Sequence, residues 1–408
     1  MKFKKVFFVL SAVLFFCAAA STAAAAEKEP INIGAIASLT GYLSDNAQSV
    51  VKGVELAADE INAKGGLLGR PLKVHARDDE MKPPVAARRF EDLVKNQGIV
   101  MHSGVVFAPM SSSIQQINKQ LGDKGVVLFQ AATSHLEQNP KNMQPNLFFI
   151  GSSLEAYGLV AGEHMAKNVG KKTFILYADY AGWGWVIRDA FIRNVTANGG
   201  EILGALAVPP GTTDYQPFLT QVMAKNPDYA AFILNGMMAV NCMKQAYGMG
   251  LKDKMKFVSF HVSIEEVNAS GPEVMKDVIL VTDYFWNIQN DRNKQFLERY
   301  SQKYGTDTRP PMRTFLHYAS VMLWADVVRA AGTVDPKTVS SKLLGFKGDF
   351  GKGEIEIRKT GDHTTIQPIV VARGKGPAEM KDKFDTQEIV KLYVGEKYFY
   401  TPKEKGWE

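Results

Sequence analysis

The residues best suited to chemistry lie in a loop that precedes a predicted helix. The segment Ser103-Gly-Val-Val-Phe-Ala-Pro-Met-Ser-Ser-Ser113 contains Phe107 and Ser111. Backbone N–H groups at the start of a helix, together with serine hydroxyls, could take up a carboxylate or a similar acceptor group. The alternative is simple N-capping, because serine is a favoured cap. Ligand binding and N-capping are compatible if one of the three serines caps the helix and the others stay free.

Two further segments carry groups that could contact the same bound molecule. Ala131 and Thr133 follow a predicted strand over 126–130 and could offer a carbonyl and a hydroxyl, although a plain turn explains them equally well. Trp183 stands after a predicted strand over 173–178, where an indole could form a flat apolar wall. Taken alone, a tryptophan is more often a packing residue.

Signals for catalysis, metals and cofactors are weak. The seven histidines include no His-x-x-x-His pair, and Cys242 is the only cysteine after residue 26, so zinc ligation lacks its usual spacings. No Gly-x-Ser-x-Gly or phosphate-loop motif occurs. Gly182-Trp-Gly184 precedes a predicted helix, but Ile187 stands where a dinucleotide fingerprint needs a third glycine. We predict a protein that is not an enzyme and has no catalytic residue, metal ligand or cofactor.

The elements that must position these residues alternate along the chain. Short β-branched runs alternate with segments of helical period, beginning with a strand over 31–37 and a helix over 47–64. This order predicts parallel strands joined by crossover helices. The alternation of predicted strands and helices is interrupted in the Pro- and Asn-rich passage 138–146 and then resumes. We therefore predict an α/β protein with two doubly wound α/β lobes, whose strand ends carry the polar loops.

The N-terminus predicts export. Lys2, Lys4 and Lys5 precede an apolar run over 6–20 and the small residues of 24–26. This is the pattern of a cleaved signal peptide over residues 1–26, which places the mature protein in the periplasm. An uncleaved anchor is the alternative, but about 15 apolar residues fall short of the roughly 20 that span a bilayer.

Cysteine and charge content narrow the class further. A lipoprotein at Cys17 is disfavoured because bulky Phe15 and Phe16 precede it, and without Cys17 the remaining Cys242 cannot form an intramolecular disulfide. The 48 basic and 42 acidic residues give a net charge of +6, and removal of the predicted signal peptide leaves +3. The basic residues are scattered among acids, which argues against nucleic-acid binding.

Several stretches resemble one known family. The segment 33–41 and the Glu-Ile-Asn-x-x-Gly-Gly-x-x-Gly pattern of 60–69 are similar to the opening of the branched-chain amino acid and amide-type periplasmic binding proteins. The likeness continues through 125–133, 179–184, 199–201 and 213–219. The resemblance implies a type I periplasmic binding protein fold, in which three hinge crossovers join the two lobes. The implied first lobe is 27–150 plus 282–365, and the implied second lobe is 151–281 plus 366–408.

The resemblance also implies a set of site residues. They are Phe107, Ser111, Ala131, Thr133, Tyr157 and Trp183. In amino-acid-binding relatives, the loop matched by Phe107 to Ser111 and the pair matched by Ala131 and Thr133 hold the α-carboxylate and α-amino groups. The position matched by Trp183 is a tyrosine over the ligand, and Tyr157 is a further candidate at the entry to the second lobe.

Two positions depart from the family pattern. Where the amino-acid binders present an aromatic residue and then a glutamate for the ammonium group, this chain has Met237-Met238 and Phe260-His261-Val262. A desolvated ammonium needs a charged partner or several acceptors, and His261 is a poor one. An aromatic or short-chain carboxylate, or an amide, is therefore as plausible a ligand as leucine. We predict that Met237 or His261 closes the site from the second lobe together with Trp183.

The function implied by the resemblance is a periplasmic receptor that binds a small molecule between two closing lobes and delivers it to an ABC permease in the inner membrane. The alternative is a ligand sensor that passes closure to a membrane receptor, and the sequence does not separate the two. We expect a monomer.

Overall fold

The computed structural model describes residues 28–41, 44–105, 108–131 and 133–408. The predicted signal peptide over 1–26 and the predicted site residue Phe107 lie outside these described residues. Within them, no helix combines the length and the hydropathy that a membrane crossing requires.

The strands and helices alternate over most of the chain, as the sequence pattern predicts. The strands are β1 (Ile31–Ala37), β2 (Leu72–Asp78), β3 (Met101–Ser103), β4 (Val127–Gln130), β5 (Leu147–Phe149), β6 (Lys172–Ala178), β7 (Glu201–Val208), β8 (Tyr229–Ile233), β9 (Lys256–Phe260), β10 (Ile279–Thr282), β11 (Lys347–Asp349), β12 (Glu354–Ile357), β13 (Thr365–Ile366), β14 (Ile369–Gly374) and β15 (Gln387–Tyr393). The helices are α1 (Ser44–Ala63), α2 (Pro83–Gln97), α3 (Ala108–Gln120), α4 (Leu154–Asn168), α5 (Val186–Ala197), α6 (Gln216–Lys225), α7 (Gly236–Gly248), α8 (Ile264–Ser270), α9 (Pro272–Met275), α10 (Asp291–Tyr304), α11 (Met312–Ala331) and α12 (Pro336–Leu343).

Two large sheets organise these elements. The first has five parallel strands in the order β2-β1-β3-β4-β5. The second has seven strands in the order β15-β14-β10-β9-β8-β6-β7, in which β14 pairs antiparallel with β10 and β15 while the other pairs are parallel. Strands β11, β12 and β13 form a small antiparallel sheet. The predicted pair of α/β lobes is therefore confirmed.

The chain passes between the two sheets more than once. It leaves the first sheet after β5, leaves the second after β10, and returns to the second at β14. Helices α10 and α11, which follow β10, pack against α1 beside the first sheet. The lobe boundaries given by residues 27–150 with 282–365 and 151–281 with 366–408 stay a prediction.

Each sheet has a point at which its strand order reverses. In the first sheet the reversal lies between β1 and β3, and in the second it lies between β6 and β8. Ligands of open α/β sheets bind outside the carboxyl ends of the strands at such points. The loops after β3, β4, β6, β8 and β9 are therefore where a site is expected.

A close helix contact fixes the start of α11. Helix α11 packs on α1, and a Cβ added at Gly53 would lie 2.3 Å from the Thr314 carbonyl oxygen. Only glycine lets the two backbones approach this closely. The contact holds the first turn of α11, which carries Met312 and Arg313.

Some elements were not predicted from the sequence pattern. Strand β5 is a three-residue strand just after the Pro- and Asn-rich passage, and α12 and β15 lie in the last quarter of the chain. The sequence pattern predicts a helix over 240–249, but α7 begins earlier, at Gly236, which has φ 51° and directly follows extended Asn235. The earlier start places Met237 in the first turn of α7.

Two buried histidines make the stability of the fold depend on pH. His102 in β3 and His317 in α11 are fully buried, and burial lowers the pKa of each to about 3. His102 Nε2 accepts a hydrogen bond of 3.1 Å from the Ile36 N–H, and His317 Nδ1 shares one of 2.7 Å with Ser103 Oγ. Both rings are therefore neutral in the folded protein at neutral pH.

We expect the free energy of unfolding to decrease as the pH falls below 6.5. Histidine in the unfolded chain binds a proton near pH 6.5, whereas folded His102 does so only near pH 3. Acid therefore favours the unfolded chain, by about 2 kcal/mol per histidine between pH 7 and pH 5. Urea unfolding of the wild type and of His102→Asn at several pH values measures this. An equally steep pH dependence in both proteins would contradict the prediction.

Candidate functional site

A cavity of about 160 Å³ lies between the loops that follow strands of both sheets. The first lobe contributes Val105, Ala108, Ser111, Gln130, Ala131, Thr133 and Glu137, and helix α11 adds Met312, Arg313 and Leu316. The other wall consists of Leu154, Tyr180, Gly182, Trp183, Asn235 and His261. The cavity therefore lies at the carboxyl ends of β3, β4, β6, β8 and β9, as the strand order predicts.

A larger groove of about 530 Å³ lies away from these strand ends. It is lined by residues of β12, β13 and β15 and their connections, among them Lys352, Arg358 and Gln367. Its two buried cations are already paired, Lys352 with Asp283 at 3.2 Å and Arg358 with Asp362 at 2.7 Å. We place the candidate site in the smaller cavity, where parallel strands from both sheets end.

The first-lobe wall presents an unsatisfied amide. Gln130 is 3% exposed, and its Oε1 accepts a hydrogen bond of 2.8 Å from Gln115 Nε2. Gln130 Nε2 has no partner among the described residues. Ser111 lies nearby in α3 and accepts a second, longer bond of 3.3 Å from Gln115 Nε2. An unpaired buried donor is costly, so an acceptor on a bound molecule would stabilise this wall.

Two charged side chains line the cavity. Arg313 Nη1 donates to Asn46 Oδ1 at 3.2 Å. Glu137 lies in the connection between β4 and β5, where burial raises the pKa of its carboxyl while hydrogen bonds from the Thr133 side chain and the Ser134 N–H act against that rise. The cavity is thus lined by one cation, Arg313, and one carboxyl group, Glu137, that already takes part in hydrogen bonds.

The second-lobe wall is built on a tight turn. A π-helical turn over Ala181–Trp185 follows β6 and places Trp183 against the cavity with 8% of its surface exposed. A Cβ at Gly184 would lie 2.0 Å from the Ala178 carbonyl oxygen, so glycine there lets the turn lie directly on the end of β6. The Gly-Trp-Gly segment thus serves close packing and presents an indole face.

His261 adds a neutral ring to the same wall. Burial and the nearby Arg313 charge lower the pKa of His261 to about 4, and Asp283 acts in the opposite direction. The imidazole is therefore uncharged at neutral pH. It also packs edge-on against Tyr157, with ring centroids 5.3 Å apart.

Backbone strain is present at this cavity. Val105 has φ 78° and His261 has φ 53°, and both residues line it. The left-handed region is rare for a β-branched residue such as valine and costs about 1–3 kcal/mol. Hydrogen bonds from the Val105 N–H to Ile36 O at 2.8 Å and from the His261 N–H to Val281 O at 2.7 Å hold these conformations.

The structure brings together most of the predicted site residues. Ser111, Ala131, Thr133, Trp183 and His261 all line the cavity. Their binding of a ligand stays a prediction, as does the role of Phe107, which lies outside the described residues.

Two predicted residues lie elsewhere in the fold. Tyr157 is fully buried beneath the cavity, and its hydroxyl donates to Asp283 Oδ2 at 2.5 Å, so it is not part of the lining. Met237 is 62% exposed and also lies outside the lining, because helix α7 starts early enough to turn this residue to the surface.

Sequence reasoning missed several lining residues. They are Gln130, Glu137, Tyr180, Asn235 and Arg313. Gln130 and Asn235 are polar residues at the ends of otherwise apolar strands, which is a signal that could have found them. Arg313 carries no such local signal, because it begins a helix far along the chain.

Among residues 28–41, 44–105, 108–131 and 133–408, no group of three or more His, Cys, Asp or Glu side chains could hold a metal ion.

Most of the chain matches one known protein family. A family described as "Periplasmic binding protein" matches residues 30–381. The chain belongs to this family. A relative, the Leu/Ile/Val-binding protein BraC3 of Rhizobium johnstonii, is 26% identical over 202 residues. That match covers 50% of this chain and about half, 54%, of the relative.

Solved structures of periplasmic binding proteins share the fold. One from Burkholderia mallei has a TM-score of 0.78 and 25% identity, and the match covers 92% of this chain and 98% of that chain. The solute-binding protein of an ABC transporter from R. palustris, solved with benzoate, has a TM-score of 0.75 and 18% identity and covers 90% and 96% of the two chains. The likeness to the second of these concerns the fold alone.

Proposed function

We propose that this periplasmic binding protein is the substrate-binding component of an ABC importer and binds a small carboxylate-, amide- or amino-acid-type ligand between its lobes. The observation that carries the proposal is the cavity lined by loops from the carboxyl ends of strands in both sheets. A ligand that contacts both walls stabilises the closed arrangement by differential contact. A relative named for binding Leu/Ile/Val supports a small organic ligand.

The cellular setting follows from the family. Membership in the periplasmic binding proteins implies a periplasmic location. The proposal adds cleavage of a signal peptide over 1–26, a monomeric mature protein and an ABC permease as the partner. The relatives described above are solute-binding proteins, which supports a role other than catalysis and gives no support to the alternative of a ligand sensor.

Thermal-shift screening of the mature protein tests this function. The panel contains amino acids, aromatic carboxylates, short-chain carboxylates and amides. Because a ligand that binds only the folded state raises the melting temperature, at least one compound should do so in a concentration-dependent way. If no member stabilises the protein, the proposed function is wrong.

Trp183 provides a test of the second-lobe wall. We expect Trp183→Phe to weaken binding of the best ligand from the screen by about fivefold, because the smaller ring removes roughly 1 kcal/mol of apolar contact. Titration calorimetry measures the affinity. Trp185→Phe is the matched control, since Trp185 is 42% exposed, bonds to Asp179 Oδ1 at 3.0 Å and does not line the cavity. Equal affinities in all three proteins would make Trp183 a packing residue only.

A further inference from the structure

Arg313 is a cation with few partners in the protein. Its one hydrogen bond to a side chain goes to Asn46 Oδ1 at 3.2 Å, and it forms no ion pair with a carboxylate of the described residues. A guanidinium has five N–H donors and stays charged at all physiological pH values. The half-buried Arg313 therefore presents unused donors and a positive charge to the cavity.

The acids around the cavity hold other partners. Glu266 Oε2 accepts a hydrogen bond of 3.0 Å from the Ser263 N–H at the start of α8, which ties this carboxylate to its own helix. Glu137 contacts the Thr133 side chain and the Ser134 N–H. Both carboxylates accept hydrogen bonds from groups of their own chain segment, whereas Arg313, whose charge also acts on Glu266, keeps unused N–H donors.

Gln130 provides a second hydrogen-bond donor that faces the cavity. Gln130 is 3% exposed, lines the cavity and has an Nε2 group without a partner among the described residues. Its orientation is held by the bond from Gln115 Nε2 to its Oε1. Arg313 also lies in the first turn of the twenty-residue helix α11, where the helix dipole favours a negative charge.

We propose that the ligand of this cavity is a small carboxylate without an α-ammonium group, whose anion binds the Arg313 guanidinium and the Gln130 amide. This inference rests on the proposed function and names its ligand class. An α-ammonium would lie within a few ångströms of the carboxylate and therefore close to Arg313. Neutral His261 carries no charge to compensate it, and Glu137, the acid among the described lining residues, already accepts hydrogen bonds from the Thr133 side chain and the Ser134 N–H, so burying the ammonium is costly.

Part of the remaining lining is apolar. Trp183, Leu154 and Leu316 contribute apolar surface to a lining that also contains Tyr180 and Asn235. Such surface stabilises a flat or branched hydrocarbon group and offers no partner to a second charge. The ligand class is therefore a monocarboxylate with an apolar group.

Titration calorimetry with matched probes tests this assignment. Benzoate and benzamide differ only in the anionic group, and 4-methylpentanoate, 4-methylpentanamide and leucine differ only in the head group. The wild type should bind at least one carboxylate, and should bind it at least tenfold more tightly than its amide and more tightly than leucine. Arg313→Gln should weaken carboxylate binding by about 30-fold or more and leave amide binding unchanged.

Two variants serve as controls. Arg313→Lys retains a positive charge and should keep part of the preference for carboxylate over amide. Arg329→Gln removes an exposed arginine from the other end of α11, where Arg329 pairs with Asp326 at 2.8 Å, and should bind as the wild type does. Circular dichroism verifies that each variant is folded.

The outcomes separate this inference from the proposed function. If Arg313→Gln binds the carboxylate as tightly as the wild type, or if leucine or an amide is the tightest probe, the inference is wrong. If none of the five probes binds, the inference is also wrong, while the wider thermal-shift panel still decides the proposed function.

Discussion

Replacing Asp283 with asparagine is expected to lower the free energy of unfolding by about 3–5 kcal/mol. Asp283 and Lys352 are both fully buried, and Lys352 Nζ lies 3.2 Å from Asp283 Oδ1. The substitution keeps the size of the side chain but removes its charge. It therefore leaves the Lys352 ammonium buried without an anion, which costs far more than an exposed charge would.

The contacts of Asp283 explain why its charge is retained in the folded protein. Burial alone would raise the pKa of this carboxyl, but Lys352 and hydrogen bonds from Ser152 and Tyr157 lower it overall. Because the pKa is lowered, the stabilisation is fully present at neutral pH and is lost as the pH falls through that lowered value. The carboxylate joins the chain segments that follow β5 and β10.

Chemical denaturation of the wild type, of Asp283→Asn and of a matched control variant measures the effect. Asp307 also pairs with a lysine, Lys383 at 2.9 Å, but both side chains are exposed to solvent. Asp307→Asn should therefore leave the unfolding midpoint unchanged, since exposed pairs contribute little. Equal losses in Asp283→Asn and Asp307→Asn would show that burial of the pair is not the cause.

Alanine at Gly151 is expected to cost at least about 3 kcal/mol of stability and to weaken ligand binding. A Cβ at Gly151 would lie 1.7 Å from the Ala131 carbonyl oxygen and 3.1 Å from Asp283 Oδ2. The segments that contain Gly151 and Ala131 are joined by a hydrogen bond and would have to separate to relieve this overlap. Ala131 lines the cavity, so its displacement should also disturb the candidate site.

The control for this prediction is a glycine with free space around it. Gly248 ends α7, has no atom within 4 Å of an added Cβ and does not adopt a left-handed conformation. Gly248→Ala should leave stability unchanged or raise it slightly, because alanine favours helix. Denaturation curves of both variants and calorimetry with the best ligand provide the measurements. A neutral Gly151→Ala would mean that the segment after β5 adjusts without cost.

Both predictions concern the connection between the lobes rather than the cavity walls. Ser152 and Tyr157 follow β5, Asp283 follows β10, and Lys352 lies between β11 and β12. Hydrogen bonds and the buried ion pair join these segments into one unit. Tyr157 belongs to this unit through its bond to Asp283 and therefore does not line the cavity.

Much of the fold and part of the site follow from local sequence patterns. The alternation of β-branched runs and helical-period segments predicts the parallel strands, because each element must bury its own apolar face. Ser111, Thr133 and Trp183, which line the cavity, stand within a few residues of predicted strand ends or at a predicted helix start. In parallel α/β sheets these positions meet at one edge whatever the rest of the tertiary structure does.

The sequence by itself determined the α/β class, the two-lobed order of elements, the family likeness and the edge of the sheets at which binding is expected. Only the tertiary structure decided which side chains enter the cavity. Arg313 reaches it because α11 packs on α1 at Gly53, Tyr157 leaves it to bond Asp283, and Met237 turns to the surface with the first turn of α7. These outcomes depend on contacts between residues far apart in the chain, whereas hydrophobic period and turn chemistry report only on neighbours.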